Sequence, residues 1–192
     1  MSDNKGKIIV VCAPSGSGKS TIINRILDTG DLDLQFSISA TNRAPREGEK
    51  HGIHYYFMTT EDFRAAIANN EFVEWEQVYP GRYYGTLRSQ VLQAADSGHN
   101  VILDIDVKGA LSVKQIFGDR ALTIFIKAPS IDDLRARLIA RGTDKADVIA
   151  ERISKAEYEL GFAPQMDAVV VNSDIDKAVA DTRKLITDFI DR

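Results

Sequence analysis

Short apolar runs alternate along the chain with longer stretches in which apolar residues recur every three or four positions. Lys7–Cys12 (KIIVVC) is continuous and β-branched, the pattern of a central strand covered on both faces. Lys19–Leu27 follows, with Ile22, Ile23, Ile26 and Leu27 at helical spacing. A helix closes over Ala94–Gly98, Asn100–Ile105 (NVILDI) reads as a second buried strand, and Val107–Phe117 as a helix. Leu122–Ile126 (LTIFI) is a third strand, broken by Pro129. Ser130 followed by Asp133 is a helix-start signal, and the helix that follows carries Leu134 and Leu138 on one face and ends near Gly142. Asp147–Leu160 is a charged helix, Ala168–Val171 a fourth strand, and Asp174 caps a final helix carrying Val179, Leu185, Ile186 and Phe189. Strand and helix in regular alternation predict an α/β fold with a parallel sheet flanked by helices.

The stretch from Phe36 to Arg88 departs from this pattern. His54–Phe57, Phe72–Val78 and Tyr83–Leu87 are aromatic and β-prone, around a short helix starting near Thr60, and Pro80-Gly81 marks a turn. This segment predicts a small β-rich insertion on the parallel core, a place for a second substrate.

Composition narrows the class. With 192 residues, 44% hydrophobic and 27% charged, the chain suits one soluble globular domain. The one cysteine, Cys12, excludes an internal disulfide, suits a reducing cytosol and lies in an apolar run where inert packing is expected. A net charge of −4 argues against a general nucleic-acid binder. No apolar run reaches membrane-spanning length, and Met1–Lys7 lacks the apolar core of a signal peptide, so a cytoplasmic protein is expected. His51, His54 and His99 have no metal-ligand spacing.

The sharpest local signal follows the first strand. Ala13, Pro14, Ser15, Gly16, Ser17, Gly18, Lys19 and Ser20 join strand to helix, the context a phosphate-binding loop requires. Gly16 and Gly18 let backbone N–H groups point inward at a phosphate, Lys19 can reach the outer phosphates of ATP, and Ser20 can ligate Mg²⁺. Ala13 stands where the usual pattern begins with glycine. Such a loop names no substrate by itself.

Ahead of the second buried strand, Arg43 and Arg46 flank Pro45, and arginine forks suit the oxygens of a phosphate monoester. The segments SATNRAPREGEKHGIHYYF, NNEFVEWEQV, RYYGT, VILDIDVKGA and RLIARGTD, together with the loop, resemble the successive signatures of guanylate kinases, in order over almost the whole chain. The resemblance implies a P-loop NTPase fold and phosphorylation of GMP to GDP by ATP with Mg²⁺, without nucleic-acid or membrane partners. It divides the chain into a core (6–38, 89–140 and 160–192), a GMP-binding subdomain (39–88) and a lid (about 141–159). By position it implies that Arg43, Arg46, Tyr55 and Tyr84 bind the GMP phosphate, with Glu49 also in the GMP site, and that Ser39, Glu74 and Thr86 read the base. Asp104 and Asp106 would lie near the guanine, ribose or magnesium–water network, Asp104 reaching the metal through water. Arg137 would flank the adenine, Arg141 and Arg152 would neutralise the transferring phosphoryl group, and Asn172 would lie near the adenine base. Lys19, Arg43, Arg141 and Arg152 are the expected catalytic set.

The chemistry of Glu74 agrees, because guanine offers N1–H and N2–H₂ side by side to one carboxylate, whereas adenine has no donor at N1 and would leave the carboxylate partly unpaired. Three rivals compete with this reading. A non-catalytic binding module of similar fold is opposed by the intact Gly18-Lys19-Ser20. A kinase for another phosphate ester is opposed by Glu74 and its neighbouring hydroxyls. A GTPase switch is opposed by the missing Asn-Lys-x-Asp segment.

Overall fold

The computed structural model describes residues 5–142 and 144–192, apart from the side chain of Tyr79; Met1–Asn4 and Thr143, the latter in the RLIARGTD segment, lie outside them. In chain order the elements are β1 (Ile8–Cys12), α1 (Lys19–Leu27), β2 (Leu34–Phe36), β3 (Ala40–Thr41), β4 (Tyr56–Phe57), α2 (Thr60–Ala68), β5 (Phe72–Tyr79), β6 (Arg82–Leu87) and α3 (Arg88–Asp96). Then come β7 (Asn100–Asp104), α4 (Val107–Phe117), β8 (Ala121–Lys127), α5 (Ile131–Ala140), α6 (Ala146–Leu160), β9 (Ala168–Val171) and α7 (Ile175–Ile190).

Every residue of β1 is buried, as a β-branched run without polar alternation must be inside a sheet. It pairs in parallel with β7 on one side and β8 on the other, and the sheet runs β2-β7-β1-β8-β9 with all its strands parallel. Alternate residues of β1 feed two apolar layers. Ile9 and Val11 pack with Ile22, Ile23 and Ile26 of α1 and Ala178 and Ile186 of α7. Ile8, Val10 and Cys12 pack with Val107, Ala110 and Val113 of α4. Parallel strands expose their carboxyl ends together, and there the connecting loops form a crevice.

Helix starts follow local chemistry. The side chains of Ser130 and Asp174 accept from Asp133 N at 3.0 Å and Lys177 N at 2.8 Å, capping α5 and α7 as the sequence predicts. Leu134 and Leu138 of α5 meet Ile149, Ile153 and Ala156 of α6 in a separate apolar cluster.

A second sheet, ordered β4-β3-β6-β5, stands beside the core. Its own small core stacks Phe63 of α2 on Phe72 and Tyr83, with ring centroids 4.4 and 5.5 Å apart. Here the structure is finer than the sequence pattern. The strand expected from His54 covers only Tyr56–Phe57, because Ile53 and His54 donate back to Lys50 O in a turn. The two-residue β3 and the three-residue edge strand β2 carry no periodic signal of their own. Among the described residues no helix is long and apolar enough to cross a membrane.

Candidate active site

Residues 13–20 leave the buried end of β1 and turn into α1. Gly16 and Gly18 both sit at φ +89°, a region that favours glycine. No side chain caps α1, so its first-turn N–H groups face the loop interior, where an anion can take them. A Cβ at Gly18 would lie 2.3 Å from Asn172 Nδ2, which donates to Ser17 O at 2.8 Å. Asn172, only 4% exposed beyond β9, thus holds the loop from behind. Lys19 forms an ion pair with Asp104 and has Nζ 3.4 Å from Ile105 O. The β1–β7 register, Val11 opposite Asp104, brings that carboxylate to the loop.

The loop forms one wall of a cleft of about 870 Å³. Ser39, Tyr55, Glu74 and Tyr84 line it from the second sheet, Asp104 and Asp106 from the floor, and Arg137, Arg141 and Arg152 from the α5–α6 side. Thr86 Oγ1 donates to Glu74 Oε1 at 2.5 Å. Burial pushes the Glu74 carboxyl up to about 7; the Thr86 hydrogen bond opposes this, and the nearby Asp106 and Glu76 add to it. Asp106 caps α4 through Gly109 N at 2.7 Å.

Arg43 lies behind Tyr84. Its Nη1 and Nη2 grip both oxygens of Glu49 at 2.6 and 2.7 Å, its Nε donates to Tyr84 Oη at 3.2 Å, and its guanidinium stacks over Tyr55 at 4.9 Å. Glu49 Oε2 also accepts from Arg46 N at 2.7 Å. The Arg43 bond, with the Arg46 N–H second, pulls the Glu49 carboxyl down to about 2, and the same bond raises Arg43 further above its ordinary range. The side chain of Arg46 is exposed and makes no hydrogen bond among the described residues.

On the third side Arg137 Nη2 donates to Asn172 O at 2.7 Å. Arg152 Nη1 donates to Ser15 Oγ at 2.6 Å, and its Nε lies 3.3 Å from Asp144 Oδ2. Arg141 is exposed at the end of α5. The sequence reading did not mark four charged residues that line the cleft: Glu76, Glu151, Lys155 and Glu159. Glu76 stands two positions beyond Glu74, so strand alternation alone could have found it. Glu159 is 7% exposed, and burial raises its carboxyl above the ordinary range.

A glycine loop at the end of the central parallel strand, facing an arginine- and tyrosine-bearing sheet across one cleft, defines a P-loop phosphotransferase with room for two phosphate-bearing substrates. The guanylate kinase family model matches residues 5–189. A guanylate kinase of Bacteroides thetaiotaomicron is 55% identical over 187 residues, covering 97% of this chain and 91% of that protein. One of Porphyromonas gingivalis is 52% identical over 184 residues, covering 96% and 98%. The crystal structure of guanylate kinase from Anaplasma phagocytophilum superposes with a TM-score of 0.75 at 30% identity, over 96% of this chain and 86% of that one. The chain belongs to the guanylate kinase family and is a kinase.

Proposed function

We infer that the chain catalyses ATP + GMP → ADP + GDP, and that the single cleft holds both nucleotides. The observation that carries the acceptor assignment is Glu74, a carboxyl with Thr86 on one oxygen, facing the phosphate loop across the cleft. One carboxylate accepting N1–H and N2–H₂ of guanine, beside the hydroxyls of Ser39 and Thr86, selects GMP over AMP. The GMP phosphate lies against Arg43, Arg46, Tyr55 and Tyr84, and Glu49 belongs to that site by holding Arg43. Residues 39–88 form the GMP-binding subdomain, about 141–159 the lid, and the remainder the core.

The triphosphate of ATP lies on the N–H groups of residues 13–20, with Lys19 exchanging Asp104 for the outer phosphates. Arg137 and Asn172 border the adenine side, Asn172 through its hold on the loop. Ser20 and Asp104 are oxygen donors near the phosphates, and among the described residues no group of three His, Cys, Asp or Glu could form a cage. That donor set fits Mg²⁺, which is held mainly by substrate phosphates and waters, with Asp104 acting through water. When bound, Mg²⁺ neutralises charge on the transferring phosphates.

The acceptor is a phosphate oxygen that is already anionic, so no general base is needed. The chain's own contribution is to align two anions and exclude water. Arg43 and Arg46 fix the acceptor, Lys19 and the loop N–H groups fix the donor, and Arg141 and Arg152 offset charge developing between them. Such an enzyme serves purine nucleotide metabolism, and one buried thiol suits a reducing cytosol.

Coupled ADP release with GMP, AMP, CMP and UMP at equal concentration tests this reading. Turnover with GMP well above the others is expected; equal rates with all four, or none with GMP, would overturn it.

A further inference from the structure

Two carboxylates, not one, stand on the cleft side of β5. Glu74 lies opposite Thr86 and Glu76 opposite Tyr84 in the antiparallel register, and strand alternation puts all four on one face. Glu74, Glu76 and Tyr84 each line the cleft. In the site assignment above, on which this inference rests, the Glu74–Thr86 row meets the base and Tyr84, carrying Arg43 on its hydroxyl, meets the phosphate. A nucleotide joins base to phosphate through its sugar. An acceptor laid along this face therefore passes its ribose by Glu76, roughly 6.6 Å along the strand from Glu74.

Glu76 is half-buried and lines the cleft beside Asp106. The charged groups around Glu76 are Asp106 itself and Lys108 of α4, Lys155 and Glu159 of α6, and Glu74 on its own strand. Burial and Asp106 favour the protonated form, and the two lysines oppose it. The Glu76 side chain ends in two oxygens that can accept from a sugar hydroxyl.

We propose that Glu76 binds the ribose 2′-hydroxyl of the acceptor and makes the enzyme prefer the ribonucleotide GMP to dGMP. Carboxylates read ribose hydroxyls in this way at other nucleotide sites. An acceptor lacking the hydroxyl leaves the half-buried Glu76 carboxyl without that partner, and discrimination results.

The test is kcat/KM for GMP and dGMP in the wild type, Glu76→Ala and Glu76→Gln, with Glu74→Gln alongside. The wild type is expected to favour GMP by about tenfold, a typical consequence of one lost hydrogen bond. In Glu76→Ala that ratio should fall to within about twofold, because GMP loses the contact while dGMP never had it; Glu76→Gln should be intermediate. Retained dGMP turnover and ATP KM show that the variant is folded. An unchanged ratio, a wild type that does not discriminate, or an equal fall for both acceptors overturns the proposal. If Glu74→Gln also keeps its preference for GMP over AMP, the assignment of the base site fails too. If Glu74→Gln loses that preference while the Glu76→Ala ratio is unchanged, only the ribose contact is wrong.

Discussion

Arg43 and Arg46 are three residues apart, but their surroundings divide their tasks. Of the five N–H groups on Arg43, Nε–H goes to Tyr84, two on Nη1 go to Glu49 and Ala44 O, and one on Nη2 goes to Glu49. One N–H is left for a phosphate. Tyr84 Oη accepts from Arg43, so its own proton is available to the same phosphate. Arg46 keeps its whole fork exposed. Arg46→Ala should therefore raise the GMP KM about 10- to 100-fold with an unchanged Tm, the loss of a charge-assisted bidentate contact. Arg43→Lys cannot reproduce the two-point grip on Glu49 and should raise KM and lower Tm together. Steady-state kinetics and thermal unfolding separate the two cases. Glu74 adds a pH dependence. Its value near 7 means the folded chain keeps a proton that the unfolded chain loses near 4.5. The stability this gives is complete below about 4.5 and gone above about 7. Guanine needs the ionised form, so the GMP KM should rise as pH falls below about 7. Glu74→Gln should remove that rise, leaving only the titration of the GMP phosphate near 6. A wild-type profile matching the variant's would refute the coupling.

At the scale of elements, the acceptor pocket depends on how closely α4 approaches β5. Gly109, in the first turn of α4, faces Glu74, and a Cβ there would meet Glu74 Cγ and Oε2 at 3.1 Å. Gly109→Ala should shift the Glu74 carboxyl and raise the GMP KM several-fold. The helix itself should not suffer, since alanine favours helix by about 1 kcal/mol over glycine. ATP KM should hold, and a proportional rise in both constants would argue against a local effect. The same junction marks the limit of what the sequence made legible. The long elements β1, β7, β8, α4, α6 and α7 were readable because burial on two faces or on one helical stripe leaves a sustained period. Ser130 and Asp174 were readable because caps are chemical and local. The phosphate loop was readable because strand, glycines and lysine are contiguous. The pairing of β3 with both β4 and β6 was not, since two residues cannot carry a period. Nor were the grip of Glu49 on Arg43, the approach of Gly109 to Glu74 and the place of Asn172 behind the loop, which depend on distances between separate segments. The resemblance supplied Glu49, Asp106 and Asn172 as site residues, but it could not say what each one touches.

Across the whole molecule, the cleft is assembled from segments far apart in sequence, and Arg152 reaches Ser15 across 137 positions. Its partners here are one hydroxyl and the Asp144 carboxylate, both replaceable by a phosphate that carries more charge than either. Arg152 sits on α6, whose Ile149, Ile153 and Ala156 pack with Leu134 and Leu138 of α5. If it acts on charge that develops only during transfer, Arg152→Ala should lower kcat by about 10²- to 10³-fold, the usual cost of removing one transition-state donor. The KM values for ATP and GMP should stay within a few-fold. Ser15→Ala removes only the resting partner and should leave kcat within a few-fold of wild type. The opposite pattern, a raised ATP KM with kcat intact in Arg152→Ala, would make Arg152 a ground-state anchor for ATP and transfer the charge-offsetting role to Arg141 and Lys19.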